Sequence, residues 1–282
     1  AAGILLMTFV EDYHLPELNL SFLVNNQHVA PEKFPVFPMM FISIACGAVS
    51  GFHATQSPLM ARCLMNEKQG RPVFFGAMIT EGIVALIWAA IAMSFFGGVR
   101  ELNDTMTQLG GKAAVVVNEV ANKLLGPFGA VLALLGVVAA PVTSGDTAFR
   151  SARLIIADMF SFPQQSMKNR LLVSIPLFAV GIALTFIQFD VIWRYFAWMN
   201  QTLSVFTFWT LTAYLFMAKK PIWITLIPAV FMTAVTSVYI LLAPEGFGLS
   251  KNLSYTIGGL FTVIIVVVFA LYMRIRKKEE IE

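Results

Sequence analysis

Residues 73–97 read VFFGAMITEGIVALIWAAIAMSFFG, and Glu81 is the one charged residue among them. A helix needs about 20 mainly apolar residues to cross a bilayer, and this segment exceeds that length. Apolar runs of similar length recur along the rest of the chain. We therefore predict an all-α integral membrane protein, built as a polytopic helical bundle.

The composition points to the same class. Hydrophobic residues make up 58% of the 282 residues, charged residues make up 12%, and the mean hydropathy is +0.76. Soluble domains average about 25% charged residues, so this composition excludes a soluble enzyme and a nucleic-acid binder. Two cysteines, Cys46 and Cys63, are too few for a disulfide framework or a four-ligand metal site. We expect the lipid bilayer as a partner and expect no nucleic acid, no metal and no cofactor.

The hydropathy pattern predicts about seven spans after a truncated hydrophobic segment at 1–10. The predicted spans are 35–51, 73–97, 127–143, 171–188, 192–217, 221–243 and 253–273. Residues 113–125 form a different kind of helix, because the apolar residues Val116, Val120 and Leu124 share one face. This helix is too short to cross, so we expect it to lie in the outer interface and to pack against its flanking spans.

The basic residues set the orientation. Thirteen of the 19 Lys and Arg residues fall in one alternate set of loops and six in the other. The larger set comprises Arg62, Lys68, Arg71, Arg150, Arg153, Lys168, Arg170, Lys219, Lys220, Arg274, Arg276, Lys277 and Lys278. Cytoplasmic loops collect Lys and Arg, so we predict a cytoplasmic C-terminus and an outward-facing segment 11–34.

The first polar segment inside an apolar region reads CGAVSGFHATQSP at 46–58. Irregular backbone at membrane depth is tolerated only against protein or a water-filled cavity, so this pattern predicts a helix broken at 50–58. Its uncharged donors and acceptors suit an organic solute. The predicted pathway residues here are Ser50, Gly51, His53, Thr55, Gln56 and Ser57. The alternative is a span that ends in a capped loop, with Ser57 and Pro58 starting a short cytoplasmic helix.

The second polar segment reads PVTSGDTAFRSAR at 141–153. We predict that Pro141 ends a span and that Thr143 or Ser144 caps the next helix. Free N–H groups at that helix start would then hold a substrate carboxylate at the inner mouth of a pathway. Its predicted lining residues are Thr143, Ser144, Gly145 and Thr147. The alternative is an ordinary capped helix on the cytoplasmic side.

Three charged residues are candidates for ion coupling. Asp146 lies in the first turn of the predicted helix and could carry a proton, and Arg150 lies four residues on, where the two side chains could pair. Glu81 lies inside the span 73–97, and charged residues within spans usually face a cavity or a partner. Asn200 and Gln201 are uncharged polar residues within a span, and we expect them to bond a neighbouring helix.

These observations favour a secondary transporter. The two polar segments lie on the same side of the membrane in the predicted topology, near enough in depth to line one pathway. A membrane nutrient sensor that binds a solute without moving it is the alternative, and a purely structural membrane subunit is a third class. We predict no enzymatic activity, because the chain lacks a phosphate loop, a nucleophile elbow and a dinucleotide fingerprint.

Several runs closely resemble the carbon starvation protein A (CstA) family. They are 44–58, 60–63, 66–67, 76–79, 81–88 and 143–153, and the likeness extends over essentially all the chain. The resemblance implies an uptake protein of the bacterial inner membrane, induced on carbon limitation, that takes up peptides or pyruvate by proton symport. It also implies a relation to the APC/LeuT-like transporters, whose core is a pair of inverted repeats.

The resemblance also suggests how the chain is divided. Residues 1–70 would form the end of the family's core domain, with the broken helix at 50–58, and 71–282 would form C-terminal transmembrane helices. Family members carry further spans before this region. The expected partners are therefore a peptide or pyruvate, protons, and the missing N-terminal spans of the same protein.

Overall fold

The structure is a computed structural model that describes residues 26, 28, 30–44, 50–108, 113–187 and 189–279. Over these ranges every regular element is helical, which confirms the predicted all-α class. The α-helices described are α1 Val36–Ser43, α2 Phe52–Cys63, α3 Ala77–Phe96, α4 Val99–Gln108, α5 Ala113–Met159, α6 Met167–Leu184, α7 Phe189–Met217, α8 Trp223–Leu242 and α9 Lys251–Glu279. A 3₁₀ turn at Glu67–Gln69 and a π-helical turn at Arg71–Gly76 lead into α3. The predicted segment 1–10 lies outside the described residues.

In the described part of the chain, five helical segments are long and apolar enough to cross a membrane. They are Glu67–Phe96, Val115–Met159, Met167–Leu184, Trp223–Leu242 and Lys251–Lys277. The predicted number of about seven spans is therefore not confirmed. In place of the predicted span 35–51, α1 has eight residues, or about 12 Å of helix, which is less than half of a bilayer core. Helix α7 is long enough, but Arg194, Asn200 and Gln201 interrupt its apolar sequence.

Helix α5 contains both a confirmed prediction and a correction. Gly126 interrupts it with φ 66° and ψ −171°, a conformation that is essentially limited to glycine. The break separates the predicted amphipathic helix 113–125 from the membrane segment that starts at Pro127, as expected. The predicted end of that segment at Pro141 is wrong, because the helix continues through Pro141 to Met159. A proline within a helix removes one backbone hydrogen bond, and here that loss does not end the helix.

The described chain divides into two compact units. The first comprises Ala1–Phe34 and Leu64–Leu177, and the second comprises Pro35–Cys63 and Phe178–Glu282. In the first unit, Val116, Val120 and Leu124 of α5 are buried against Ile91 of α3, with Trp88 packed beside them. The apolar face predicted for 113–125 is thus confirmed as a packing surface.

The second unit is organised around α8. Met232, Val235 and Tyr239 of α8 form a core with Ile42 of α1 and Val205 of α7. Buried polar groups at the α7–α8 contact are paired. Trp198 Nε1 donates to the Thr236 carbonyl oxygen at 3.0 Å, and Trp209 Nε1 donates to Thr233 Oγ1 at 3.0 Å. Thr212 Oγ1 lies 2.9 Å from Thr225 Oγ1. Interhelical hydrogen bonds of this kind hold membrane helices together.

The turn after α8 is fastened to the start of α7. The side chain of Glu245 is 8% exposed; it accepts a hydrogen bond from the Tyr239 hydroxyl and lies 3.7 Å from Arg194 Nη1. The Tyr195 hydroxyl donates to the backbone carbonyl of the same glutamate. One residue of the turn therefore contacts both α7 and α8.

Candidate functional site

The described part of the first predicted polar segment starts at Ser50 and begins with a helix break; residues 46–49 lie outside the described residues. Ser50 and Gly51 are not helical, and α2 begins at Phe52, which confirms an irregular segment ahead of a second helix. The predicted extent of 50–58 is wrong, because residues 52–58 are helical and Pro58 lies inside α2. His53, Thr55, Gln56 and Ser57 therefore occupy the first two turns of α2 rather than an unwound segment. The alternative prediction of a helix starting at Ser57 is also wrong.

Asn200 of α7 caps the start of α2. The first N–H groups of a helix lack partners within the helix, and a side-chain oxygen usually accepts one of them. Here the Phe52 N–H is 2.9 Å from Asn200 Oδ1 and 3.2 Å from Ser50 Oγ. Asn200 Nδ2 donates in turn to Ser50 Oγ at 3.1 Å. The cap is thus shared between Ser50 of the break and Asn200, which lies 150 positions further along the chain.

Gly51 brings the break into direct contact with α7. Its N–H donates to the backbone carbonyl of Asn200 at 3.2 Å. A Cβ atom at this position would lie 2.2 Å from that oxygen, 2.6 Å from Leu203 Cβ and 2.7 Å from the Ser204 nitrogen. All three distances are shorter than real Cβ contacts, so only glycine fits between the break and α7.

The polar residues of α2 are half-buried. His53 Nδ1 is 3.2 Å from the Ser50 carbonyl oxygen, and the Thr55 hydroxyl donates to the Phe52 carbonyl oxygen at 2.8 Å. These two contacts are local to the first turn. Gln56 and Ser57 lie on the following turn, and their side chains are also half-buried. The arrangement gives one helix start with four uncharged polar side chains, held in place by α7.

The second predicted polar segment is a continuous helix. The Thr143 hydroxyl donates to the Ala139 carbonyl oxygen at 3.2 Å and the Thr147 hydroxyl to that of Thr143 at 3.0 Å, as side chains within a helix do. Neither Thr143 nor Ser144 caps a helix, so the predicted cap and its free N–H groups are wrong. Gly145 has no atom within 4 Å of the place where a Cβ would sit.

The predicted pair of Asp146 and Arg150 is confirmed. Arg150 Nη2 lies 2.7 Å from Asp146 Oδ2, and the side chains are 59% and 66% exposed. Pairs with this exposure contribute about 0–1 kcal/mol to stability in water. Glu81 is also exposed, on the second turn of α3. Both acids lie in the first unit and residues 50–57 lie in the second, and each unit is described by itself. Their use of one pathway stays a prediction.

The sequence predicts that Asn200 and Gln201 both bond a neighbouring helix, and it does not single out Ser204. For Gln201 the prediction is wrong, because its described side-chain contact is with Ser204 of its own helix. Asn200 does bond a neighbouring segment, as expected, but the prediction did not identify the helix break as its partner. Gln201 and Ser204 are buried beside it, with Gln201 Oε1 3.4 Å from Ser204 Oγ. The signal was present as four polar residues within positions 200–204 of a predicted span, namely Asn200, Gln201, Thr202 and Ser204. Among the described His, Cys, Asp and Glu residues, no group of three is placed to hold a metal ion.

Comparisons with known proteins match the N-terminal part of the chain, which includes the helix break at 50–51. The profile of the family described as "Carbon starvation protein CstA" matches residues 2–127, a narrower range than the whole-chain likeness expected. An uncharacterized protein of Haemophilus influenzae is 45% identical over 122 residues, which cover 43% of this chain and 88% of that protein. No solved structure matches the chain significantly.

Two similar proteins have transporter names. The pyruvate/proton symporter BtsT of Escherichia coli is 48% identical over 63 residues, or 22% of this chain and 9% of that protein. The peptide transporter CstA of the same organism is 40% identical over 87 residues, or 29% of this chain and 12% of that protein. The matched part thus spans about a tenth of the length of each of these two transporters.

Proposed function

Because the chain belongs to the carbon starvation protein CstA family, we propose that it is part of a secondary active uptake transporter for small nutrients. The proposed solutes are peptides or pyruvate-like acids, the proposed driving ion is the proton, and the proposed occasion is carbon starvation. The names of the two Escherichia coli relatives support this proposal. The proposed location is the bacterial inner membrane, with several spans and a cytoplasmic C-terminus.

The observation that carries the proposal is the break at 50–51. Transporters bind solutes near discontinuous helices, where irregular backbone and helix ends supply polar groups at membrane depth. Here the start of α2 is capped by Asn200 and carries His53, Thr55, Gln56 and Ser57. These side chains offer donors and acceptors without a net charge. We propose that they line the solute pathway together with Ser50 and Gly51.

Coupling to protons requires an acid that can gain and lose a proton. Asp146, paired with Arg150, and Glu81 remain the candidates, and we propose that Asp146 carries the proton at the inner mouth. Because residues 143–147 are helical, Thr143, Ser144, Gly145 and Thr147 would line the pathway as one stretch of a helix and not as an N–H cluster. The proposed solute contact there is therefore made by hydroxyl groups.

Further parts of the proposal concern the rest of the protein. We propose that additional N-terminal spans of the same protein complete an APC/LeuT-like pair of inverted repeats. Residues 1–70 would end the core domain and 71–282 would supply the C-terminal helices. The family match extends to residue 127, which supports a core domain that continues beyond residue 70. The distribution of Lys and Arg supports the proposed orientation.

Uptake by membrane vesicles tests the proposal. Vesicles containing the full-length protein should accumulate labelled pyruvate or labelled dialanine when the outside is acidic, and a protonophore should abolish the accumulation. His53→Ala should lose uptake at normal abundance in the membrane. His28→Ala is the matched control, because His28 is exposed and bonds only its own loop among the described residues.

Three results would contradict the proposal in different ways. Binding of dialanine without accumulation would indicate the sensor alternative. Accumulation that is equal with and without the pH gradient would exclude proton coupling. Wild-type uptake by His53→Ala would reduce the segment 50–57 to a helix start with a structural role.

A further inference from the structure

Gln201 is a fully buried amide with an unpaired donor. The residue is 0% exposed, and its Nε2 atom has no hydrogen-bond partner among the described residues. Its Oε1 atom is 3.4 Å from the hydroxyl oxygen of Ser204, which is itself 3% exposed. A buried polar group without a partner destabilises the folded state, so such groups are rare in native proteins.

Buried polar side chains elsewhere on the same helix are paired. Thr212, also 0% exposed, donates to the Phe208 carbonyl at 2.7 Å and lies 2.9 Å from Thr225 Oγ1. Asn200, the immediate neighbour of Gln201, is bonded to the helix break. Lack of a hydrogen-bond partner is therefore specific to Gln201 and is not shared by the other buried polar side chains named here.

The amide belongs to the segment of α7 that contacts the helix break at 50–51. Ser204, which Gln201 contacts, has its backbone nitrogen 2.7 Å from the place where a Gly51 Cβ would sit. Asn200 contacts Ser50 and Phe52 from the preceding position of α7. In this segment of α7, Asn200 is therefore bonded to the break, whereas the two N–H donors of the neighbouring Gln201 side chain are unpaired among the described residues.

We propose that Gln201 is a solute-binding residue whose amide donates to an sp² oxygen of the solute, either a carboxylate or a peptide carbonyl. The inference rests on the proposed transport function and adds a residue that determines its specificity. An amide Nε2 can only donate, so the complementary group must be an acceptor. Because Gln201 is enclosed in this conformation, the solute reaches it when the contact between α2 and α7 opens during alternating access.

Gln201→Met tests the inference, because it removes the donor and keeps a side chain of similar length. Replacing an unpaired buried amide by an apolar group removes a destabilising term, so the variant should unfold at the same or a higher temperature in detergent. Uptake should nevertheless need at least tenfold more solute, because a site built to bond a polar group binds poorly without that bond. A rise in KM with an unchanged or raised unfolding temperature is a result that a structural role does not produce.

The solute classes are separated by measuring KM for labelled pyruvate and for labelled dialanine in parallel. A rise for both solutes identifies the carboxylate that they share as the acceptor; a rise confined to dialanine identifies the peptide carbonyl. Thr212→Val is the matched control, since it removes a paired hydroxyl from the same helix. It should lower the unfolding temperature and leave KM unchanged.

Two outcomes would overturn the inference. Wild-type KM values for both solutes in Gln201→Met would show that the amide does not contact the solute. A large loss of folded protein in that variant would show that the amide stabilises the native state through a partner of its own. Absence of any uptake by the wild-type protein would instead refute the proposed function, so the two failures are distinguishable.

Discussion

Replacing Gly51 by alanine should separate the helix break from α7. The added Cβ would lie 2.2 Å from a backbone oxygen, 2.6 Å from Leu203 Cβ and 2.7 Å from a backbone nitrogen. None of these atoms belongs to the flexible end of a side chain, so the backbone of α2 or of α7 has to move. Overpacking of this kind costs about 1–3 kcal/mol.

The movement would also break hydrogen bonds. The Gly51 N–H bond to the Asn200 carbonyl and the Phe52 N–H bond to Asn200 Oδ1 both depend on the close approach. At about 1 kcal/mol each, their loss raises the expected cost to about 3–5 kcal/mol in unfolding free energy. Native proteins are stable by only about 5–15 kcal/mol, so this is a large fraction of the total.

Thermal unfolding of the purified protein in detergent measures this cost. Gly51→Ala should unfold at a clearly lower temperature, and vesicles should lose uptake even where the protein is present. Gly136→Ala is the matched control, because Gly136 is an exposed residue of α5 with no atom within 4 Å of its Cβ position. An unfolding temperature for Gly51→Ala equal to that of the wild type would refute the close packing of the break on α7.

Three further changes give separable results. Asn200→Asp keeps the oxygen that accepts from Phe52 and should retain more uptake than Asn200→Leu, which should also lose about 0.5–2 kcal/mol of stability; equal uptake by the two would argue against the cap. Asp146→Asn should abolish accumulation against a gradient while solute exchange persists, and undiminished accumulation would leave Glu81 as the coupling acid. Restored accumulation in the double variant Asp146→Asn with Arg150→Gln would mean that the pair is structural. Glu245→Ala should lower the unfolding free energy by about 1–3 kcal/mol, measured by thermal unfolding, because it leaves the buried Tyr239 hydroxyl without its acceptor; no change would contradict the fastening of the turn.

The sequence predicted the local helices well where the apolar periodicity was clear. The amphipathic face of 113–125 follows from the apolar spacing, and the structure confirms it, with a break at Gly126 before the segment that starts at Pro127. The i, i+4 spacing of Asp146 and Arg150 likewise predicted their ion pair. These features depend on residues close together in the sequence.

Proline and serine gave the wrong helix boundaries. Pro141 and Pro58 were expected to end or start helices, but both lie inside α-helices. Pro176 and Pro228 also lie inside helices, in α6 and α8. Proline is therefore a weak signal of a helix boundary in this chain. Hydroxyl groups can bond the carbonyl four residues back as well as cap a helix start, and Thr143 does the former.

The partners of the break could not be predicted from the sequence. Asn200 lies 150 residues from Ser50, and no local pattern specifies which helix a polar residue will face. The same applies to Gly51, whose role depends on the backbone of α7 and not on its own conformation. Long-range packing decides both, so the site became visible only in three dimensions.

Protection of a thiol by the solute would test whether α2 lines the pathway. In a Cys46→Ser background, the thiol introduced by Gln56→Cys is labelled with a membrane-permeant maleimide in vesicles, while the exposed native Cys63 at the end of α2 serves as the internal reference. Saturating dialanine or pyruvate should slow labelling at position 56 severalfold and leave the labelling of Cys63 unchanged. Equal labelling rates at position 56 with and without either solute, in a variant that still transports, would contradict the placement of the pathway at this helix.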